Sequence, residues 1–165
     1  MTSIDTQQLD KLIRVSLSYR DRAYAPYSKF RVGAALLTAD GQIFGGCNVE
    51  NASYGAGICA ERTAVVKAIS EGQNKFIAVA VTSDVPSPTT SPCGICRQFL
   101  REFLSPSIPI YIISSEYPSE LPSWLDKLDQ DQESDEIKKY VVKMTMEELL
   151  PSSFGPDNLG MQGPQ

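Results

Sequence analysis

Three of the four cysteines stand in two short clusters whose spacing could hold a metal: Cys59 in Cys59-Ala60-Glu61-Arg62, and Cys93 and Cys96 in Pro92-Cys93-Gly94-Ile95-Cys96. Thiolate is the form that binds zinc, and the positive end of a helix stabilises it. Both clusters read as helix openings, with Pro92 stopping the preceding loop so that the Cys93 and Cys96 sulfurs share one face of the first turn. Three thiolates fill three tetrahedral positions and leave the fourth to water, which is the arrangement of a catalytic zinc. Cys47 lies on a predicted strand between glycines and Asn48, away from either helix start, and reads as a buried bystander. On the cysteine pair alone, a closed zinc site with four cysteines and a redox Cys-x-x-Cys pair are also open.

Glu61 and Arg62 favour the catalytic arrangement. Glu61 is two residues past Cys59, near enough to reach the open position yet pointing differently from the sulfur, as a carboxylate that moves protons should. Three thiolates and a zinc leave a net charge near minus one, which weakens the metal's power to acidify water. Arg62 can donate hydrogen bonds to the ligand sulfurs and drain that charge, although an ordinary surface arginine would also suit a helix start.

With no histidine in the chain, Ser-His and Cys-His couples are excluded, and any zinc site must use thiolates and carboxylates. A net charge of −5 gives no basic field for a phosphate backbone, so a small neutral substrate is expected and a nucleic-acid polymer is not. Residues Met1-Thr2-Ser3-Ile4-Asp5 lack a basic, apolar leader, and no apolar run is long enough to cross a bilayer. The expected compartment is the cytoplasm, where cysteines serve as thiols or ligands more often than as disulfides.

The elements that must position these residues follow from the hydrophobic pattern. Leu9, Leu12, Ile13 and Leu17 have helical spacing over Thr6 to about Ala23, with Asp5 as N-cap and Pro26 as terminator. Strands over 31–38 and 42–49 flank Asp40-Gly41, a two-residue hairpin signal. A helix over 59–71 stops at Gly72 and leads into a strand over 76–82. After a Pro/Ser/Thr loop over 85–92 come a helix over 93–104 and a buried strand over 109–113. Residues 116–139 form an acidic surface insertion anchored mainly by Trp124 and Leu125. A strand over 140–144 precedes a capping box, Thr145-Met146-Glu147-Glu148, that opens a helix over 147–150, and residues 151–165 form a tail. Its 165 residues, 42% hydrophobic, suit one domain. The expected fold is a three-layer α/β/α sandwich around a mixed five-stranded sheet whose later strands, joined by helical crossovers, run parallel.

Cys59-Ala60-Glu61-Arg62-Thr63-Ala64, followed by Pro92-Cys93-Gly94-Ile95-Cys96-Arg97-Gln98, strongly resembles the small homotetrameric cytidine deaminases. The similarity extends from Ala25-Pro26-Tyr27-Ser28-Lys29-Phe30 to Leu150-Pro151-Ser152-Ser153-Phe154-Gly155-Pro156, and the site type is a known zinc-deaminase variant with three cysteine ligands. The resemblance implies one zinc per subunit, Glu61 as proton carrier, and hydrolysis of cytidine and deoxycytidine to uridine and deoxyuridine in pyrimidine salvage. It makes Phe30 a wall of the base pocket, Asn48 and Glu50 partners of the sugar 3′-hydroxyl, and Ala60 a backbone contact of the pyrimidine edge. It also makes Ala52 and Tyr54 contributors to a neighbour's site and Phe154 an aromatic stacked on a neighbour's pyrimidine. Taken bare, Asn48 and Glu50 would be a polar strand end, and Phe154 a modest docking anchor. The chain departs from the family at Arg31, where members carry proline, and in the longer stretch over 116–139. The alternatives are a deaminase of a cytosine-bearing antibiotic such as blasticidin S and, from another class, a zinc-stabilised binding module.

Overall fold

A computed structural model describes residues 4–86, 90–128 and 134–161. The expected leader-free start at Met1–Ser3, the middle of the 85–92 loop, the centre of the acidic stretch and the last four tail residues lie outside the described residues.

Helix α1 (Thr6–Arg20) opens on a capping box in which Asp5 accepts from the Gln8 backbone N–H at 2.8 Å. It ends at Arg20, well before Pro26, and Asp21 caps it. The expected extension to Ala23 fails because residues 21–23 turn to bring Tyr24 against Asn48, where the Tyr24 N–H donates to the Asn48 carbonyl at 3.0 Å.

Strands β1 (Val32–Thr38) and β2 (Ile43–Cys47) form an antiparallel hairpin with Leu37 opposite Ile43. Thr38 pairs with Gln42, so the connection has three residues rather than two, and Gly41 takes a φ of 86° to close it. Next come α2 (Ala60–Ser70), β3 (Phe76–Ser83), α3 (Gly94–Arg101) and β4 (Pro109–Ile113). Two short helices follow, α4 (Leu125–Leu128) and α5 (Asp135–Lys138), and then β5 (Val141–Thr145) and α6 (Met146–Leu149). The expected capping box at the last helix is present, with Thr145 and Glu148 exchanging hydrogen bonds.

The sheet is mixed, in the order β2-β1-β3-β4-β5. Among the five described strands, β3 and β4 alone pair in parallel, joined by the crossover through α3. β5 is antiparallel to β4, against the expectation for the later strands, because short helices α4 and α5 return the chain to the same end of the sheet. Successive side chains on a strand point to opposite faces, and here both faces are covered. Leu9, Leu12 and Ile13 of α1 pack with Leu125, Leu128 and Ile137 against Ala35, Leu37, Ala80 and Tyr111 on one face. On the other, Ala60, Ala64, Val65, Leu100 and Met146 pack against Ala34, Leu36, Val79 and Ile110. These are the three layers. Residues 116–139 are more firmly docked than Trp124 and Leu125 alone would make them: Tyr117, Leu128 and Ile137 are also buried, and Trp124 stacks on Tyr140 with ring centroids 5.8 Å apart.

Close approach of α2 to β2 depends on Gly46. A Cβ there would overlap the Ala64 backbone N and the Ala60 carbonyl, so the missing side chain lets the start of α2 lie directly on the strand.

Candidate active site

The two cysteine clusters meet at adjoining helix N-termini. Cys59 is the N-cap of α2 and Cys93 the N-cap of α3, both in extended backbone, while Cys96 sits at the third position of α3. The sequence places Cys59 and Cys93 inside their helices; they stand one residue outside, at the N-cap, in extended backbone and with no side-chain hydrogen bond to the helix N–H groups. All three sulfurs lie within 4.8 Å of one another, and Cys59 and Cys93 are 4.0 Å apart. Cys47 is half-buried rather than buried, and its thiol faces the Arg22 carbonyl at 3.6 Å, apart from this cluster.

Without a cation these thiols are in conflict. A hydrogen bond from Cys96, helped by Arg62, pulls Cys59 down to about 5 against the cost of burial. Donating that bond, burial, and the charges of Glu61 and Cys59 push Cys96 well up. One sulfur ionises at the expense of the other, and a divalent cation among them removes the conflict. The donor set therefore fits zinc, for which three thiolates with an open fourth position are a recognised catalytic arrangement.

Glu61 is the second residue of α2 and is only 4% exposed. Burial raises its carboxyl above the usual range, with the Cys59 charge adding to this and Arg62 opposing it. A carboxyl shifted upward can hold a proton closer to neutral pH, as proton transfer requires. The Arg62 Nη2 lies 3.7 Å from the Cys59 Sγ, and its Nε is buried with no hydrogen-bond partner among the described residues.

Beside the cysteines opens a cleft of about 610 Å³, walled by Tyr27, Ser28, Asn48, Glu50, Tyr54, Cys59, Arg62 and Ile95 among others. Asn48 accepts from the Val32 N–H at 2.8 Å and donates to the Phe30 carbonyl at 2.9 Å, so its amide is fixed by the first residue of β1 and by the segment before it. Glu50 accepts from the backbone N–H groups of Tyr27 at 2.9 Å and Ser28 at 3.2 Å, and from the Ser28 hydroxyl. The Ser28 hydroxyl, foremost, and these N–H groups hold the Glu50 carboxyl below its usual value despite some burial. A carboxylate and an oriented amide side by side suit a diol.

Of the other residues singled out from the sequence, Tyr54 is 81% exposed at the cleft and tilts toward Tyr27 with centroids 5.9 Å apart. Ala60 is buried at the first turn of α2. Phe30, Ala52 and Phe154 are outside the cleft wall and open to solvent. Phe154 is nonetheless held: Gln98 donates to its carbonyl at 3.0 Å, and the buried Arg101 reaches Ser153 at 3.0 Å and Asp157 at 2.5 Å on either side. Sequence reasoning did not single out Ser28, Tyr27 or Ile95. Ser28 and Tyr27 stand in a quoted block, but their role depends on a fold-back onto Glu50 across more than twenty residues, which no local pattern reveals.

Residues 6–112 match the cytidine and deoxycytidylate deaminase zinc-binding region. The chain is 40% identical over 157 residues to a cytidine deaminase of Sporosarcina psychrophila, covering 95% of this chain and 98% of that protein. It is 39% identical over 148 residues to one from Halalkalibacterium halodurans, covering 90% and 95%. A crystal structure of cytidine deaminase from Burkholderia pseudomallei superposes with a TM-score of 0.71 at 37% identity, covering 88% of this chain and 98% of the other. With the cysteine triad, the covered sheet and these similarities together, the chain belongs to the cytidine and deoxycytidylate deaminase family with its zinc-binding region.

Proposed function

We propose that this protein hydrolyses cytidine and deoxycytidine to uridine and deoxyuridine, releasing ammonia, as a step of pyrimidine salvage. The observation that carries this reading is the meeting of Cys59, Cys93 and Cys96 within 4.8 Å beside a buried Glu61 and a cleft carrying Asn48 and Glu50.

Zinc held by the three thiolates supplies a Lewis acid that makes a water nucleophilic at neutral pH. Glu61 takes the proton that the attacking water gives up and delivers it to N3 of the pyrimidine, which makes C4 electrophilic. It then carries the proton of the new C4 hydroxyl to the departing amino group, so that ammonia leaves as the C4 carbonyl forms. Both transfers need one carboxyl that exchanges protons near neutrality, which the upward shift at Glu61 supports. Arg62 offsets the negative charge of the sulfurs. Asn48 and Glu50 bind the sugar hydroxyls, the Ala60 backbone borders the base, Phe30, outside the cleft wall of the single chain, closes on the base from the cleft's rim, and the ordering of Asn48 and Glu50 before substrate arrives lowers the cost of binding.

The subunits act as a homotetramer with shared sites. Support comes from Tyr54 and Phe154, 81% and 58% exposed, the latter on a tail clamped by Arg101 as if to present it to a neighbour. Ala52 belongs to the same neighbour-facing edge. The whole chain acts as one domain with 116–139 as a surface insertion. Ligand thiolates call for a reducing compartment, which favours the cytoplasm; among the described residues no helix is long and apolar enough to cross a membrane.

The test is loss of the cytidine ultraviolet absorbance on adding purified protein, with and without a chelator, beside blasticidin S as a second substrate. Turnover of both nucleosides that a chelator abolishes is expected. Turnover of the antibiotic alone, or of neither, overturns the reading.

A further inference from the structure

The segment between α1 and β1 forms one lip of the cleft through Tyr27 and Ser28, yet it lacks regular secondary structure. Lys29 within it has a φ of 59°, a left-handed conformation that a non-glycine residue keeps only where its neighbours hold it. Tyr24 is bound through its backbone to Asn48 and Glu50, and beyond it the side-chain ties of residues 27–31 to the rest of the fold run in two directions. One runs to the cleft itself: Tyr27 and Ser28 donate to Glu50, and the Phe30 carbonyl accepts from Asn48. The other runs away from the cleft through Arg31. Its backbone N–H donates to the Asp84 Oδ2 at 3.0 Å, its Nε to the same oxygen at 3.2 Å, and its Nη2 to Oδ1 at 2.8 Å. Nη1 reaches Asp21 at 3.3 Å, and Arg20 approaches both carboxylates, Asp21 at 3.1 Å and Asp84 at 4.0 Å.

Asp84 is a firm anchor. It follows the last residue of β3, and the next residue, Val85, is tied by its N–H to the Ser83 hydroxyl at 3.2 Å and by its carbonyl to the Ser115 N–H at 3.1 Å. The loop beyond leads to Cys93. The Arg31–Asp84 pair therefore bridges the segment that makes one lip to the strand end that launches the chain toward the cysteines.

We propose that Arg31 and Asp84 form a charged clasp that positions the Tyr27–Ser28 lip for substrate, making Arg31 a positioning residue for nucleoside binding. The inference rests on the reading in which Glu50 binds the sugar. In that reading the ties to Glu50 must be shared with the incoming hydroxyls, so the clasp is a side-chain tie that does not compete with substrate, set beside the backbone bonds of Tyr24 to Asn48 and Glu50 at the segment's other end. An exposed ion pair ordinarily contributes little, but a forked arginine–carboxylate contact inside a network of four charges is the geometry in which it counts.

The test compares Arg31→Gln, Asp84→Asn and the double variant with the parent enzyme, measuring KM and kcat for cytidine at low salt and at roughly 1 M salt, with thermal melts to verify folding. Each single variant is expected to raise KM about 2- to 5-fold at low salt with kcat preserved. The double variant should be no worse than either single one, because both remove the same contact. The parent's KM should climb toward the variants' value in high salt, while theirs stays nearly constant. Unchanged KM in both single variants, additive effects in the double, or a fall in kcat at constant KM overturns the clasp. Glu50→Gln, assayed alongside, separates the two claims: an unchanged KM there sinks the sugar reading, whereas a raised KM there with no effect at Arg31 and Asp84 sinks the clasp alone.

Discussion

The Nη2 of Arg62 lies 3.7 Å from the Sγ of Cys59, one helical turn before it, so a cation and a thiolate share the N-terminus of α2. The sulfur gains a hydrogen bond and the helix end adds its own positive field, and both draw negative charge away from the metal site. Arg62→Ala should lower zinc affinity or kcat/KM about 10- to 100-fold, with Arg62→Lys recovering only part because a single ammonium cannot reproduce the guanidinium fork. Zinc content and steady-state rates on the same preparations measure this; full activity with full metal in Arg62→Ala would remove Arg62 from the site.

The placement of Cys47 makes a second prediction. Its thiol faces the Arg22 carbonyl rather than the other three sulfurs. Cys47→Ser should therefore retain one zinc per chain, whereas Cys59→Ser, Cys93→Ser and Cys96→Ser should each lose it, as read by elemental analysis after dialysis. Loss of metal from Cys47→Ser would point instead to a closed site with four thiolates.

The sequence was most informative where chemistry and structure share a short stretch. Cys93, Cys96 and the helix they open are adjacent, so a local pattern located them, and the Asp40-Gly41 hairpin signal with the short apolar runs located the five described strands. It was weaker where position depends on distant partners. Nothing near Val141 states that β5 must pair antiparallel with β4, because that direction is set by the path of α4 and α5. The three-residue turn at Ala39–Gly41 escaped for a related reason: Thr38 binds Asp40 and Gln42 and so joins the strand to the turn. At the site, Glu50 was named from its motif, but its bracing by Tyr27 and Ser28 required the fold.

Glu50 also carries a pH prediction. Its folded pKa lies below the ordinary value of 4.5, chiefly through the Ser28 hydroxyl and then the Tyr27 and Ser28 N–H groups. A depressed carboxyl contributes its stabilising interactions fully above that ordinary value and loses them as pH falls through the lower, folded one. KM for cytidine should accordingly be flat from about pH 5 to 8 with respect to this group and rise only under more acidic conditions. In Glu50→Gln the acidic rise should vanish on top of a higher KM throughout. A KM that already climbs between pH 7 and 5 in the parent and not in the variant would contradict the bracing.

In the proposed mechanism Glu61 moves the protons while the cysteines alone hold the metal, and Glu61→Gln separates these two roles. The variant keeps the size of a side chain that is only 4% exposed, so the fold and the cysteine cluster should persist. Its zinc content and its turnover of cytidine are measured on one sample. One zinc per chain together with a loss of kcat of about 10²- to 10⁴-fold is expected. Full zinc with parental kcat would contradict that mechanism.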